Sequence, residues 1–451
     1  MNNLNLDLIK KIHFIGIGGC GMSALALILN KLEFSITGSD LYDSYYTELL
    51  KKNKIKFTKG HYKFNIYKNN PEIIVKSSII NDDNIEIITA KKNKIPIYHR
   101  SQILNYICNL HQKIIGIMGS NGKGTTAGAI INCLSIKYNL NYILGAILEE
   151  EKTNYNFKKE NNIIIIEIDE SDGSFFNLFP NYLIINNIDL DHIEYLKSIE
   201  NTQNLFIKYI ESNKSLEKVF INIENKESKV IFNYFKDKKK SFRLIPALDD
   251  YKILNLKKVD ESENYSKFNL NNKTFVTPLF TRYNIENLVM ALTVGIDFDC
   301  NTNDLFNQIK KYNGLKDRFN LIKKEKNIYI IKVFAHCSYE IGKTLDYIRI
   351  SNLPICVVYK PFGSINYLKK EIDYFKKTFF NIDKFVLCPH NNNLVNIFLR
   401  KKLDNSYYIN NKEELINYLQ DNINKDYIIV FFSVNKLSDF NIFDVADKLV
   451  F

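Results

Sequence analysis

Residues 113–126 read KIIGIMGSNGKGTT, from Lys113 to Thr126. A short apolar run breaks into glycines and then into a helix-forming stretch, the strand–loop–helix pattern of a phosphate-binding loop. In such a loop backbone N–H groups cradle phosphates, so Gly119, Ser120, Asn121, Gly122, Lys123, Gly124, Thr125 and Thr126 are all candidate nucleotide contacts. Lys123 is expected at the β- and γ-phosphates, with a hydroxyl on Mg²⁺. The standard pattern sets Ser or Thr directly after the lysine. Here Gly124 intervenes, which makes Thr125 the expected metal-side hydroxyl.

A second glycine loop lies upstream, Gly16-Ile-Gly18-Gly19-Cys-Gly21, again between an apolar strand and a helical stretch. Glycines let the backbone turn tightly and approach a diphosphate seated at the helix N-terminus. Asp40 closes the next strand about twenty residues on, where a ribose hydroxyl contact is expected. Together they favour a dinucleotide or nucleotide-sugar site; the bland alternative is glycines serving helix–strand packing alone. Downstream, the strand Ile163–Ile166 runs into Glu167-Ile-Asp169-Glu170-Ser-Asp172. Carboxylates at the C-terminal edge of a parallel sheet suit Mg²⁺, although a solvated acidic turn has the same composition. After the strand Tyr182–Ile185 comes Asn186-Asn-Ile-Asp189-Leu-Asp191-His192, where His192 is either structural or a metal or phosphate contact. A plain dehydrogenase needs no second phosphate loop and a plain ATPase no first one. Their coexistence points to a ligase or kinase acting on a nucleotide-linked substrate.

The chain of 451 residues is 45% apolar and 25% charged, which excludes a mainly disordered protein and exceeds a single core. Seven scattered cysteines without a CxxC pair speak against a disulfide framework or structural zinc, and for a reducing compartment. The net charge of +11 either attracts polyanions or reflects the Ile/Asn/Lys-rich composition, and the lysines are spread rather than striped. No aromatic–basic stripe points to nucleic acid. No secretory signal is visible, and the apolar stretch 14–29 is too short and glycine-rich to span a membrane, so a soluble protein is expected. Strands alternating with helical patterns predict three α/β domains in series: 1–110, Rossmann-like; 111–313, carrying the P-loop; and 314–451, again Rossmann-like. In the last, strands are expected at Ile328–Phe334, Ile355–Tyr359, Lys384–Leu387 and Tyr427–Phe432, and a helix opening with the capping pair Asn411 and Glu414.

In order along essentially the whole chain, these residues resemble the ATP-dependent Mur ligases of peptidoglycan synthesis. The resemblance rests on HFIGIGGCGMSALA, GSD, IIVKSSII, IPIYHR, GSNGKGTT, EIDESDGSF, NNIDLDHIEYL, RYNIENLVMAL and GLKDRF. The opening string is similar to the branch that adds L-alanine to UDP-N-acetylmuramate. The resemblance implies a cytoplasmic enzyme, a monomer or weak homodimer, in which the sugar's carboxylate attacks ATP to give an acyl phosphate that the alanine amine then opens. It implies UDP-sugar contacts at Gly16, Gly18, Gly19, Gly21 and Asp40, with Ser77 and Ser78 nearby. It further implies metals at Thr125, Glu170 and His192, adenine at Asn284 and Asn287, and Arg318, in the linker to the third domain, at the ATP phosphates.

The third domain departs from the family pattern. Where the family has DDYxHHPTE, this chain has Lys332-Val-Phe-Ala-His336-Cys-Ser-Tyr-Glu340, which keeps His336 as a substrate contact but reverses a charge at Lys332. The next motif lacks both arginines and reads Lys360-Pro-Phe-Gly-Ser-Ile-Asn366, so Lys360 is the available stand-in; a later glycine loop is replaced by Ser433-Val-Asn-Lys436. Besides the alanine ligase, the sequence leaves open a nucleotide-sugar binder with a decayed catalytic half, a peptide-recycling ligase for the same sugar, and an NAD-dependent oxidoreductase using the first loop alone.

Overall fold

The computed structural model describes residues 6–171, 173–189, 193–247, 249, 251–256, 258, 265–325, 327–434 and 440–451, and the backbone alone of 193 and 194. The chain forms two compact units, residues 1–254 with 267–315 and residues 255–266 with 316–451.

In the first unit, β1 (Lys11–Ile15), β2 (Ser35–Asp40), β3 (Lys56–Lys59), β4 (Ile73–Lys76) and β5 (Ile97–His99) form a parallel sheet in the order β3-β2-β1-β4-β5. The crossovers are α1 (Cys20–Lys31), α2 (Tyr45–Lys52), α3 (Lys63–Asn69) and α4 (Ile85–Lys92), and α5 (Arg100–Cys108) follows β5. Strand order reverses at β1, so a crevice opens at its C-terminal end, where the first glycine loop sits. Strand β2 runs through Gly38 and Ser39 to Asp40, which closes it as expected. Gly38 marks a close approach rather than a turn: a Cβ there would lie 2.6 Å from Ile17 Cδ1 and 2.8 Å from the Phe14 carbonyl.

Helix α1 is buried at every position from Met22 to Leu29. A helix apolar all round needs cover on all sides. Its first turn is tied to β7 (Leu140–Leu148): the Asn154 amide donates to the Cys20 carbonyl (3.0 Å) and the Leu144 carbonyl (3.1 Å). The apolar stretch 14–29 is therefore a buried strand, loop and helix; among the described residues no helix is long and apolar enough to cross a membrane.

The second sheet of this unit contains β6 (Lys113–Met118), β7, β8 (Thr153–Asn156), β9 (Ile163–Glu167), β10 (Tyr182–Ile185), β11 (Lys218–Asn222) and β12 (Arg243–Ala247). Its order is β12-β11-β10-β6-β9-β7-β8, parallel except for β8 against β7. The run from Ile163 to Ile166 is buried, as a strand flanked on both faces should be. Helix α6 (Lys123–Leu134) leaves the sheet at β6, between β10 and β9, the second reversal of strand order. A three-stranded sheet follows, β13 (Tyr251–Asn255), β14 (Ser266–Leu270) and β15 (Lys273–Thr277). Its short strands alternate with polar residues and carry no glycine punctuation, so they leave little local signal in the sequence.

The second unit is a six-stranded sheet, β16 (Arg318–Glu325), β17 (Ile328–Val333), β18 (Ile355–Tyr359), β19 (Lys384–Leu387), β20 (Tyr407–Tyr408) and β21 (Tyr427–Phe432). Its order is β16-β17-β21-β18-β19-β20, with only β16 antiparallel to its neighbour. Arg318, expected in a linker, is the first residue of β16. The helix Lys412–Asn422 is capped as expected, the Asn411 side chain accepting from the Glu414 N–H at 2.8 Å. None of the seven cysteines is in a disulfide.

Candidate active site

Gly16, at φ +82°, turns the chain out of β1, and the Gly16 and Ile17 amides donate to the Ser39 carbonyl at 2.9 and 3.1 Å. The Gly18 amide donates to Asp40 Oδ2 (2.8 Å), while Asp40 Oδ1 accepts from the Leu41 amide (2.7 Å). Asp40 thus clasps the glycine loop from the neighbouring strand. A Cβ on Gly18 would come within 2.9 Å of Thr47 and 3.0 Å of Asp40. Gly19 caps α1 without any side-chain hydrogen bond, so the amides at the start of the helix face the crevice as backbone donors. Ser77 lies against Gly16, with 3.3 Å between its Cβ and a Cβ built on the glycine.

Ser78 leads to the second loop through a residue the sequence reading passed over. Its hydroxyl is 3.0 Å from His99 Nε2 and accepts from Arg100 Nε at 3.3 Å, and Arg100 Nη2 donates to Asp169 Oδ2 at 2.5 Å. Arg100 Nη1 is also the nearest group to Gly21, 3.6 Å from its built Cβ. One guanidinium thereby joins the first glycine loop to the acidic end of β9. Its only sequence signal was its place at the end of IPIYHR.

In the phosphate loop, Gly119 adopts φ +130° and Gly122 φ +77°. A Cβ on Gly119 would sit 2.7 Å from the Asn187 carbonyl, and one on Gly122 2.6 Å from Asn287 Oδ1. The loop is braced by the segment after β10. Ser120 donates to the Asp189 carbonyl (3.1 Å), and the Asn121 amide donates to Asn187 Oδ1 (2.8 Å). The Thr126 hydroxyl accepts from Asn186 (2.8 Å) and donates to Asn287 Oδ1 (3.1 Å). The helix Arg282–Asp297 therefore brings Asn287 against the phosphate loop, with Asn284 buried in its first turn. Gly124 also has a reason: a Cβ there would meet Leu315 Cδ1 at 2.9 Å and Glu167 Oε1 at 3.1 Å. Thr125 is buried, and its carbonyl accepts from the Tyr312 hydroxyl at 3.2 Å.

Lys123 Nζ donates to the Gly119 carbonyl (2.7 Å) and to Glu170 Oε1 (2.9 Å). Burial alone would lower the ammonium's pKa, but Glu170, Asp169 and Glu167 outweigh it and hold the pKa above its ordinary value. Burial pushes the Glu170 carboxyl up against the pull of Lys123. Asp169 is also pushed up by burial, yet Arg100 and the Ser171 contacts hold it below the usual value. Glu170 Oε2 is buried with no hydrogen-bond partner. An orphaned carboxylate oxygen beside a phosphate loop fits Mg²⁺, which takes one or two protein ligands and fills its shell with phosphate and water. Among the described residues no three His, Cys, Asp or Glu side chains converge as a metal set. Asp172, Asp191 and His192 lie outside the described residues.

Residues 11–112 match the Mur ligase family catalytic domain and residues 117–295 the Mur ligase middle domain. The chain belongs to the Mur ligase family. Like the family, it is an ATP-dependent ligase that forms an amide bond. It is 34% identical over 390 residues to a UDP-N-acetylmuramate–L-alanine ligase of Pelagibacter ubique, an alignment covering 84% of this chain and 82% of that one. A protein of the same name from Brachyspira hyodysenteriae is 30% identical, covering 92% and 93%. The fold matches the UDP-N-acetylmuramate–alanine ligase MurC of Thermotoga maritima with a TM-score of 0.79 at 22% identity, covering 97% of each chain. It also matches a murein peptide ligase of Psychrobacter arcticus with a TM-score of 0.71 at 14% identity, covering 97% and 99%.

In this Mur ligase the remaining expected site residues lie in the second unit. Arg318 Nη1 donates to the Phe334 carbonyl (3.3 Å), and its guanidinium stacks 4.4 Å from the Phe334 ring centroid. His336 lies in the loop after β17, with its ring near Phe362 and Tyr367 and its Nδ1 3.7 Å from Glu340. The two lysines at altered family positions are both buried. Lys332 pairs with Asp447 at 2.5 Å, and Lys360 donates to the Phe440 carbonyl at 2.6 Å while 1% exposed. Lys436 lies outside the described residues.

Proposed function

We propose that this Mur ligase joins L-alanine to the lactyl carboxylate of UDP-N-acetylmuramate at the expense of ATP, in the cytoplasm and with Mg²⁺ as its metal. The observation that carries the reading is the identity of 30–34% across most of the chain with ligases bearing that name. The clasped loop at Gly16, Gly18, Gly19 and Gly21 supports a diphosphate at the start of α1, with Arg100 and Ser78 on its far side.

Lys123 meets the β- and γ-phosphates as a cation, since the surrounding carboxylates keep it protonated. Thr125 and Glu170 would hold Mg²⁺, and charge neutralisation on the transferring phosphoryl group is what that ion supplies when bound. The sugar carboxylate attacks the γ-phosphorus and ADP leaves. The alanine amine then attacks the acyl carbon, loses a proton and expels phosphate. Catalysis here is positioning and charge neutralisation, with Asn287 at the nucleotide, Arg318 at the ATP phosphates and His336 at the substrate. A monomer or weak homodimer suffices for this assignment.

A second reading, a nucleotide-sugar binder with a decayed catalytic half, is favoured by one observation: Lys332 and Lys360 spend their ammonium groups on internal partners. Phosphate release from ATP and Mg²⁺ distinguishes the readings. The ligase releases phosphate only when UDP-N-acetylmuramate and L-alanine are both present. UDP-sugar binding without phosphate release for any amino acid selects the decayed binder; release with a peptide in place of alanine selects the recycling ligase.

A further inference from the structure

Beneath the first glycine loop lies a polar cluster that the proposed chemistry does not use. Glu86, in the first turn of α4, is completely buried. Its Oε1 accepts from the Tyr62 amide (3.1 Å) and from Asn65 Nδ2 (2.5 Å). Its Oε2 accepts from the Ser39 hydroxyl (2.6 Å) and faces His13 Nε2 at 3.4 Å and His61 Nδ1 at 3.7 Å. The same hydroxyl lies 2.9 Å from His61 Nδ1, and His13 Nδ1 lies 2.9 Å from Thr37 Oγ1. A carboxylate taken out of water costs several kcal/mol unless its lone pairs are filled, and here three segments of the chain, β1, the end of β2 and residues 61–65, converge on it. Among the described residues this group is not a metal set.

Ser39 gives the cluster its meaning. Its carbonyl receives the amides of Gly16 and Ile17, and the next residue, Asp40, holds Gly18. The hydroxyl bond to Glu86 therefore pins, from below, the strand end that shapes the loop from above. We propose that Glu86 is a positioning residue for nucleotide-sugar binding, acting through Ser39 on the glycine loop without touching the ligand. The inference rests on the reading of that loop as the UDP-sugar site.

Two substitutions in the full-length protein separate positioning from stability. Ser39→Ala removes the link between Glu86 and the loop strand. Thr37→Val removes a bond from the same buried cluster on the His13 side, away from the loop. Calorimetric titration with UDP and steady-state kinetics are read for each, alongside the thermal midpoint. Ser39→Ala is expected to weaken UDP binding and raise KM for the UDP-sugar about tenfold, the effect of one hydrogen bond to a charged group, with KM for ATP unchanged. Thr37→Val is expected to lower the thermal midpoint and leave UDP affinity as in the wild type. Equal affinity loss in both variants, or none in Ser39→Ala while the wild type binds UDP, overturns the positioning role. Absence of UDP and UDP-sugar binding in the wild type overturns the reading of the loop, and the inference falls with it.

Discussion

Lys123 keeps its charge against burial because Glu170 lies 2.9 Å away, and each partner answers for the other's cost. Removing the ammonium alone leaves a buried carboxylate uncompensated, a change that typically costs about 3–5 kcal/mol. Lys123→Met should abolish ATP-dependent phosphate release and lower the unfolding midpoint. The double variant Lys123→Met/Glu170→Leu should recover the midpoint without recovering activity; a midpoint as low as that of the single variant would show that the two groups are not coupled. Glu86 gives a pH dependence. Burial pushes its carboxyl up, but the neighbouring His13 and His61 rings and the hydrogen bond from Ser39 outweigh burial and hold it far below the ordinary 4.5. A folded pKa below the unfolded one means that the stabilisation is complete above about pH 4.5 and is lost as pH falls beneath it. Glu86→Gln should flatten the acid limb of a stability-against-pH curve. An acid limb as steep as in the wild type would assign it to other carboxylates.

At the scale of elements, the site is a set of strand ends brought together by two sheet reversals, and its glycines differ in what they do. Gly119 faces backbone at 2.7 Å with φ +130°, whereas Gly124 faces the flexible tip of Leu315. Gly119→Ala should therefore lose nucleotide binding outright, while Gly124→Ala should retain it at a cost of about 1 kcal/mol in stability. Titration with ATP and thermal unfolding of both variants check this contrast. Arg100, at the start of α5, ties the loop after β4 to the end of β9. Arg100→Ala should raise KM for the UDP-sugar, and Arg100→Lys should rescue little, because an ammonium cannot reach Ser78 and Asp169 together as a planar fork does. Full rescue by lysine in steady-state kinetics would reduce Arg100 to a point charge.

Across the whole molecule, Cys108, Cys133, Cys300, Cys356 and Cys388 are buried, and burial pushes the Cys356 thiol up to about 12. Cys20 and Cys337 are partly exposed. An aromatic disulfide reagent should therefore modify two thiols in the native protein and all seven after denaturation. More than two in the native state would reveal opening of a core. The sequence was sufficient for the parallel α/β order, both glycine loops, the Asn411 cap and the acidic strand end, because glycine spacing, apolar runs and capping pairs are local signals. It could not show that Arg100 reaches Asp169, that Glu86 reaches Ser39, or that Lys332 and Lys360 turn inward to Asp447 and Phe440. Those contacts join residues 47 to 115 positions apart, and the polarity of a side chain reveals its need for a partner but not which partner the folded strands will bring within 3 Å.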